Sequence, residues 1–219
     1  MHAFSDLMQN ISDECDQYGL NAPREALPKL TAYLWHLREW NTKLNLTRHT
    51  TVKAFVNRDM ADSVALINIL ENNERVLDVG TGGGVPGVLL AILRPDLRVE
   101  LCDSVTKKSR SVQAIVNEIG INIPVHVAAG QKLVSKYPNT FDTLVIRAVA
   151  PLTKLLSWFE PVSHTFGRIL LIKGPRWETE KQDARHRGFI KKVQMRRLTS
   201  WPIPDSNNES VLLEIRRRD

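Results

Sequence analysis

The sequence predicts an α/β fold: a mostly parallel sheet with helices on both faces, preceded by an N-terminal helical cap. Three observations predict it. Apolar residues recur at helical spacing through the N-terminal third, short Val/Ile/Leu runs then alternate with helix-length segments, and a glycine-rich loop follows directly on the first of those runs.

In the cap, Ala26, Leu27, Leu30, Tyr33, Leu34, Leu37 and Trp40 fall at three- and four-residue steps, so one helical face is buried, with Asn41 as the stop. A second periodic stretch runs from Val52 to Leu70 through Phe55, Val56, Met60, Val64 and Ile67. The cap is therefore placed at residues 1–72 and the main domain at 73–219. From there the period shortens. Val76–Val79, Val99–Cys102, Val125–Val127, Thr143–Ile146 and Ile169–Ile172 read as buried strands, separated by helical segments near 86–94, 106–119 and 151–160. That alternation predicts parallel pairing, with ligands beyond the carboxyl ends of the strands. Val211–Arg216 reads as a last, antiparallel strand if the Pro202–Asn208 loop closes a hairpin.

Composition narrows the class. With 219 residues, 42% hydrophobic and 25% charged, the chain can bury a sizeable core, which excludes bulk disorder. The longest apolar run, Val88–Leu93, is far short of the roughly 18 residues a membrane span needs. The N-terminus carries no secretory signal, so a cytoplasmic address is expected. Cys15 and Cys102 form no Cys-x-x-Cys pair, which argues against structural zinc or a disulfide scaffold. The net charge of +6 arises in the C-terminal quarter. Between Lys173 and Arg197 nine basic residues face three acidic ones, a density able to neutralise phosphates or to form a solvated helix face.

The segment Asp78-Val-Gly80-Thr81-Gly82-Gly83-Gly84-Val85-Pro86-Gly87 places five glycines in eight residues at a strand-to-helix junction, so backbone can approach a ligand closely. Pro86 suits a first helical turn. Gly82 to Gly87 satisfies G-x-G-x-x-G, with Asp103 at the distance of a ribose-binding carboxylate, so a nicotinamide or flavin cofactor is one reading. The other is that Asp78-x-Gly80-x-Gly82 resembles the first motif of class I methyltransferases that bind S-adenosylmethionine, where the same Asp103 would hold the adenosine ribose.

Further segments resemble one family, the bacterial 16S rRNA (guanine-N7) methyltransferases, also known as glucose-inhibited division protein B. These are Trp40-Asn-Thr-Lys-Leu-Asn45-Leu-Thr47, Asp62-Ser63, Asp78–Gly87, Asp103-Ser104 with Lys107, Lys108 and Arg110, Arg147-Ala148, and Lys173-Gly174. The chain departs from that pattern in four places: Asp59 stands where the family has histidine, Leu89 replaces a proline, Ala129-Gly130 replaces a valine-glutamate pair, and Asn208-Glu209-Ser210 lacks basic residues. The resemblance implies a Rossmann-like, seven-stranded class I methyltransferase fold with an antiparallel C-terminal strand. It also implies S-adenosylmethionine as cofactor and 16S rRNA or the small ribosomal subunit as partner, with no membrane and a monomeric enzyme. Guanine N7 bears a free lone pair, so no general base is required and catalysis rests on in-line positioning.

On that basis Asp78, Gly80, Thr81, Gly82, Val85, Asp103, Ala129 and Gly130 are expected at the cofactor. Arg147 is expected between cofactor and RNA, and Asn45 is expected to complete the pocket from the cap. Lys107, Lys173, Arg176 and Trp177 are expected at the RNA, Trp177 as a base-stacking ring. Trp35, Trp40 and Trp158 are expected in the core, and none of the six histidines in the site. Three readings compete: a related methyltransferase acting on another RNA or a small molecule, a non-catalytic RNA-binding or ribosome-assembly factor, and a nucleotide-dependent oxidoreductase. Binding of S-adenosylmethionine against NAD separates them.

Overall fold

Residues 2–218 are described in the computed structural model. The first described element is α1 (His2–Gln17), a helix beyond those expected, which buries Leu7, Ile11 and Cys15 at helical spacing. Next comes α2 (Leu27–Asn41), ending at the expected asparagine. The second periodic stretch forms one continuous rod. Thr51 caps α3 (Val52–Ala54) by accepting from the Ala54 N–H, a π-helical stretch occupies Phe55–Met60, and α4 (Ala61–Ile67) completes it. Within the π stretch the Ala61 N–H reaches back to the Val56 carbonyl, which widens the turn bearing Arg58 and Asp59.

Then β1 (Arg75–Val79), α5 (Gly87–Leu93), β2 (Arg98–Asp103), α6 (Thr106–Glu118), β3 (Val125–Val127), α7 (Gly130–Lys136), β4 (Phe141–Arg147), α8 (Leu152–Phe159), β5 (Phe166–Lys173), α9 (Trp177–His186), β6 (Val193–Pro202) and β7 (Glu209–Arg217) follow. The sheet order is β3-β2-β1-β4-β5-β7-β6. Strands β1 to β5 pair in parallel, and β7 inserts antiparallel between β5 and β6. The hairpin between β6 and β7 is thus as expected, and all five predicted parallel strands are present.

Alternate residues divide the strands between two cores. Val76, Val99, Leu101, Val145, Leu170, Ile172 and Leu212 pack beneath the cap, α5 and α6, while Leu77, Val79, Leu144, Ile146, Ile169, Leu171 and Leu213 pack beneath α7, α8 and α9. Cap residues Leu30, Tyr33, Leu34 and Leu37 are fully buried in the first of these cores. Each contributes about 1.5–3 kcal/mol, so the cap is fastened to the sheet rather than set apart from it. The order reverses between β1 and β4, which opens the crevice at their carboxyl ends where open α/β sheets take ligands. No helix among the described residues is long and apolar enough to cross a membrane.

Candidate active site

The loop after β1 is pinned from below. The Asp78 carboxylate is buried and its Oδ2 accepts from the Thr81 hydroxyl at 2.6 Å and the Gly87 N–H at 2.9 Å. Burial pushes its pKa up to about 6, against the lowering pull of those two bonds. Asp78 and Thr81 therefore shape the loop from beneath instead of presenting side chains to a ligand, a correction to the expected contacts. Val85 is likewise turned into the cap core. Gly80 has φ +70°, and a Cβ there would lie 2.5 Å from Val149, so the loop lies flush against the segment that follows β4.

The cap presses on the same loop. The Tyr33 hydroxyl donates to the Gly83 carbonyl at 2.9 Å, and Cβ atoms on Gly83 or Gly84 would meet Leu37 or Val88. Gly83 and Gly84 thus serve close packing among the loop, the cap and α5.

Asp103 ends β2. Its Oδ2 accepts from the Gly82 N–H at 3.1 Å and its Oδ1 from the Val105 N–H at 2.8 Å, which fixes the carboxylate at the loop while leaving acceptor capacity for two vicinal hydroxyls. Val105 and Val127 stand exposed at the ends of the flanking segments, 47% and 53%, apolar faces of the kind a purine ring covers. Ala129 and Gly130 open α7 beside them. A Cβ on Gly130 would strike Val79 at 2.6 Å, so this residue can offer only backbone to a ligand. Together these residues fit an adenosine-bearing cofactor.

Beside this surface lies a cavity of about 740 Å³ between the cap and the carboxyl ends of β4 and β5. Leu46 and Val149 form part of its wall and also touch the glycine loop, so cavity and loop adjoin. Arg147 reaches it from β4. Its Nη1 donates to Asp59 Oδ1 at 2.6 Å and to Asp62 Oδ2 at 3.1 Å, and those carboxylates are 0% and 5% exposed. Burial alone would lower the arginine's pKa, but the two aspartates hold it above the ordinary value. Asp62 also accepts from the Trp201 indole, and burial raises its pKa despite Arg147.

His49 completes the group, its Nδ1 2.7 Å from Asp59 Oδ1, and lines the cavity. The expectation that no histidine belongs to the site is thereby overturned. His49 lies ten residues before Asp59, and only the turn from α2 into α3 brings them together. The departure at position 59 does not strip this wall of an imidazole, because His49 supplies one.

Other expectations are corrected too. Asn45 is exposed and does not line the cavity. Asn41 is the working amide of that block, its Oδ1 accepting from the Leu46 and Thr47 N–H groups to hold the loop closed. Trp177, the expected stacking ring, is 8% exposed and packs in the second core with Lys181 over its face. Trp35, expected inside, is exposed beside Phe4. Lys173 lines the cavity, but its ammonium is engaged by Glu180 at 2.6 Å and the Ala150 carbonyl at 2.7 Å. Arg176 does reach the cavity, and Lys107 is exposed on α6 away from it. The basic tract is divided by the fold. Val193 pairs with Arg217 at the amino edge of the sheet, so Lys191 and Lys192 lie at the edge opposite the cavity.

A family model described as rRNA small subunit methyltransferase G matches residues 26–207. The chain belongs to the rRNA small subunit methyltransferase G family. Within that family it is 40% identical over 188 residues to a protein of Rhodopirellula baltica named ribosomal RNA small subunit methyltransferase G, covering 86% of this chain and 80% of that one. A protein of the same name from Syntrophotalea carbinolica is 29% identical over 218 residues, 96% and 99% of the two chains. Among solved structures, a methyltransferase from Pyrococcus furiosus superposes with a TM-score of 0.57 at 12% identity, over 85% of this chain and 98% of that one. This likeness speaks for the fold alone: the chain has a Rossmann-like class I methyltransferase architecture.

Proposed function

We propose that this protein transfers a methyl group from S-adenosylmethionine to N7 of a guanine in 16S rRNA, as a cytoplasmic monomer acting on the small ribosomal subunit. The observation that carries the reading is the junction of an Asp103-held glycine loop with a large arginine-lined cavity at one sheet edge, in a chain of this family. When bound, the cofactor supplies an electrophilic methyl group on a sulfonium. Asp103 holds the ribose, Val105 and Val127 cover the adenine, and backbone at Gly80, Gly82, Ala129 and Gly130 borders the rest. Tyr33 and Asp78 hold the loop rigid from either side, which keeps an in-line approach from the cavity. Arg147, locked by Asp59 and Asp62, walls the cavity where the guanine would lie.

The test is methyl transfer from labelled S-adenosylmethionine to purified small subunits, with thermal-shift titrations of that cofactor beside NAD. Stabilisation by S-adenosylmethionine, and transfer that Asp103→Ala reduces at least tenfold, are expected. A shift with NAD alone sinks the reading.

A further inference from the structure

The cavity is lined by five cationic side chains of Lys and Arg, and they fall into two kinds. Arg147 and Lys173 are already neutralised by Asp59, Asp62 and Glu180. Arg48, Arg58 and Arg176 form no ion pair with a carboxylate among the described residues; Asp62 feels the Arg58 charge without bonding to it, and the buried Nε of Arg58 has no hydrogen-bond partner. The three come from separate elements: the loop after α2, the π-helical stretch, and the start of α9. A half-buried guanidinium without an acceptor is costly unless a ligand completes it.

We propose that Arg48, Arg58 and Arg176 form a phosphate cradle that grips the RNA backbone on either side of the target nucleotide as its base enters the cavity. This rests on the reading of function above and deepens it by separating the residues that bind phosphate from those that shape the pocket. Guanidinium groups suit the task because their planar forks engage phosphate oxygens in pairs. Placed on three elements, they meet a strand only where cap and sheet converge. Arg147 and Lys173 cannot share the role, since each already faces carboxylate at hydrogen-bond distance. The lysines at the opposite edge are remote from it.

The experiment measures binding to purified small ribosomal subunits across a KCl series, with S-adenosylmethionine affinity measured alongside by calorimetry. Each lost phosphate contact lowers the slope of log K against log[salt] by about 0.7 for single strands. Arg48→Gln/Arg176→Gln, both at exposed positions, should therefore flatten the slope by about 1.4, and addition of Arg58→Gln by about 2 in all. Cofactor affinity should be unchanged, which also certifies the fold of each variant. An unchanged slope in the double variant, while the parent binds with clear salt dependence, overturns the cradle and leaves the proposed function standing. An equal loss from Lys191→Gln/Lys192→Gln overturns it as well. A parent that does not bind small subunits refutes the proposed function and the cradle with it.

Discussion

Replacing Arg147 with methionine keeps much of the side chain's length and removes the one cation between two buried carboxylates. In the parent, Nη1 sits 2.6 Å from Asp59 and 3.1 Å from Asp62, whose side chains are 0% and 5% exposed. Breaking a buried pair from one side leaves uncompensated charge and costs about 3–5 kcal/mol. For a chain of this size each kcal/mol shifts Tm by about 2–4 °C, so a loss of about 12 °C is expected near pH 8. The pH dependence gives the sharper signature. Burial already raises the Asp62 pKa, and Arg147 is the foremost influence opposing that rise. Without the arginine the carboxyl moves up further. A carboxyl with a raised folded pKa contributes stability that is present below its unfolded value, near pH 4, and lost as pH rises through the folded value. The variant should therefore lie closer to the parent at about pH 5 than at about pH 8, as a proton takes the guanidinium's place. Urea unfolding at both pH values reads the difference. A gap below about 1 kcal/mol that ignores pH would refute the buried-network argument.

Three further outcomes are expected. Gly80→Ala places a Cβ 2.5 Å from Val149 at φ +70°, so a loss of about 2 kcal/mol and weaker S-adenosylmethionine binding should appear in urea unfolding and calorimetry, with Val149→Ala restoring part of it. Because the Asp78 pKa rises from its ordinary 3.8 to about 6, stability from this group should fall by about 3 kcal/mol as pH climbs through that window, and Asp78→Asn should remove the fall in a pH series of melts. Lys173→Met strands Glu180 and should cost about 3 kcal/mol, yet leave the salt slope of small-subunit binding as in the parent; a flattened slope would return Lys173 to the RNA-binding set.

Much of the site was legible because its signals are local. The glycine run requires nothing beyond neighbouring residues to mark a strand-to-helix turn, and Asp103 follows a strand whose apolar run is unmistakable. Trp177 departs from its expected stacking role because the ring at the start of α9 is buried in the second core, which no local signal announces. Asn45 and Asn41 belong to one motif, and only the loop's closure shows which amide does the holding.

By itself the sequence determined the alternation of strands and helices, the five parallel strands, the ligand-bearing edge and the residues that end each strand there, since these follow from periodicities of two and 3.6 and from turn chemistry. Tertiary structure alone decided which charges are free. Whether a cation binds a phosphate or braces a wall depends on a carboxylate that the fold brings to it, as Asp59 is brought to Arg147 across 88 positions and Glu180 of α9 to Lys173 at the end of β5. Charge pairing acts through space over a few ångströms, and only the packed cap and sheet bring those groups within that range.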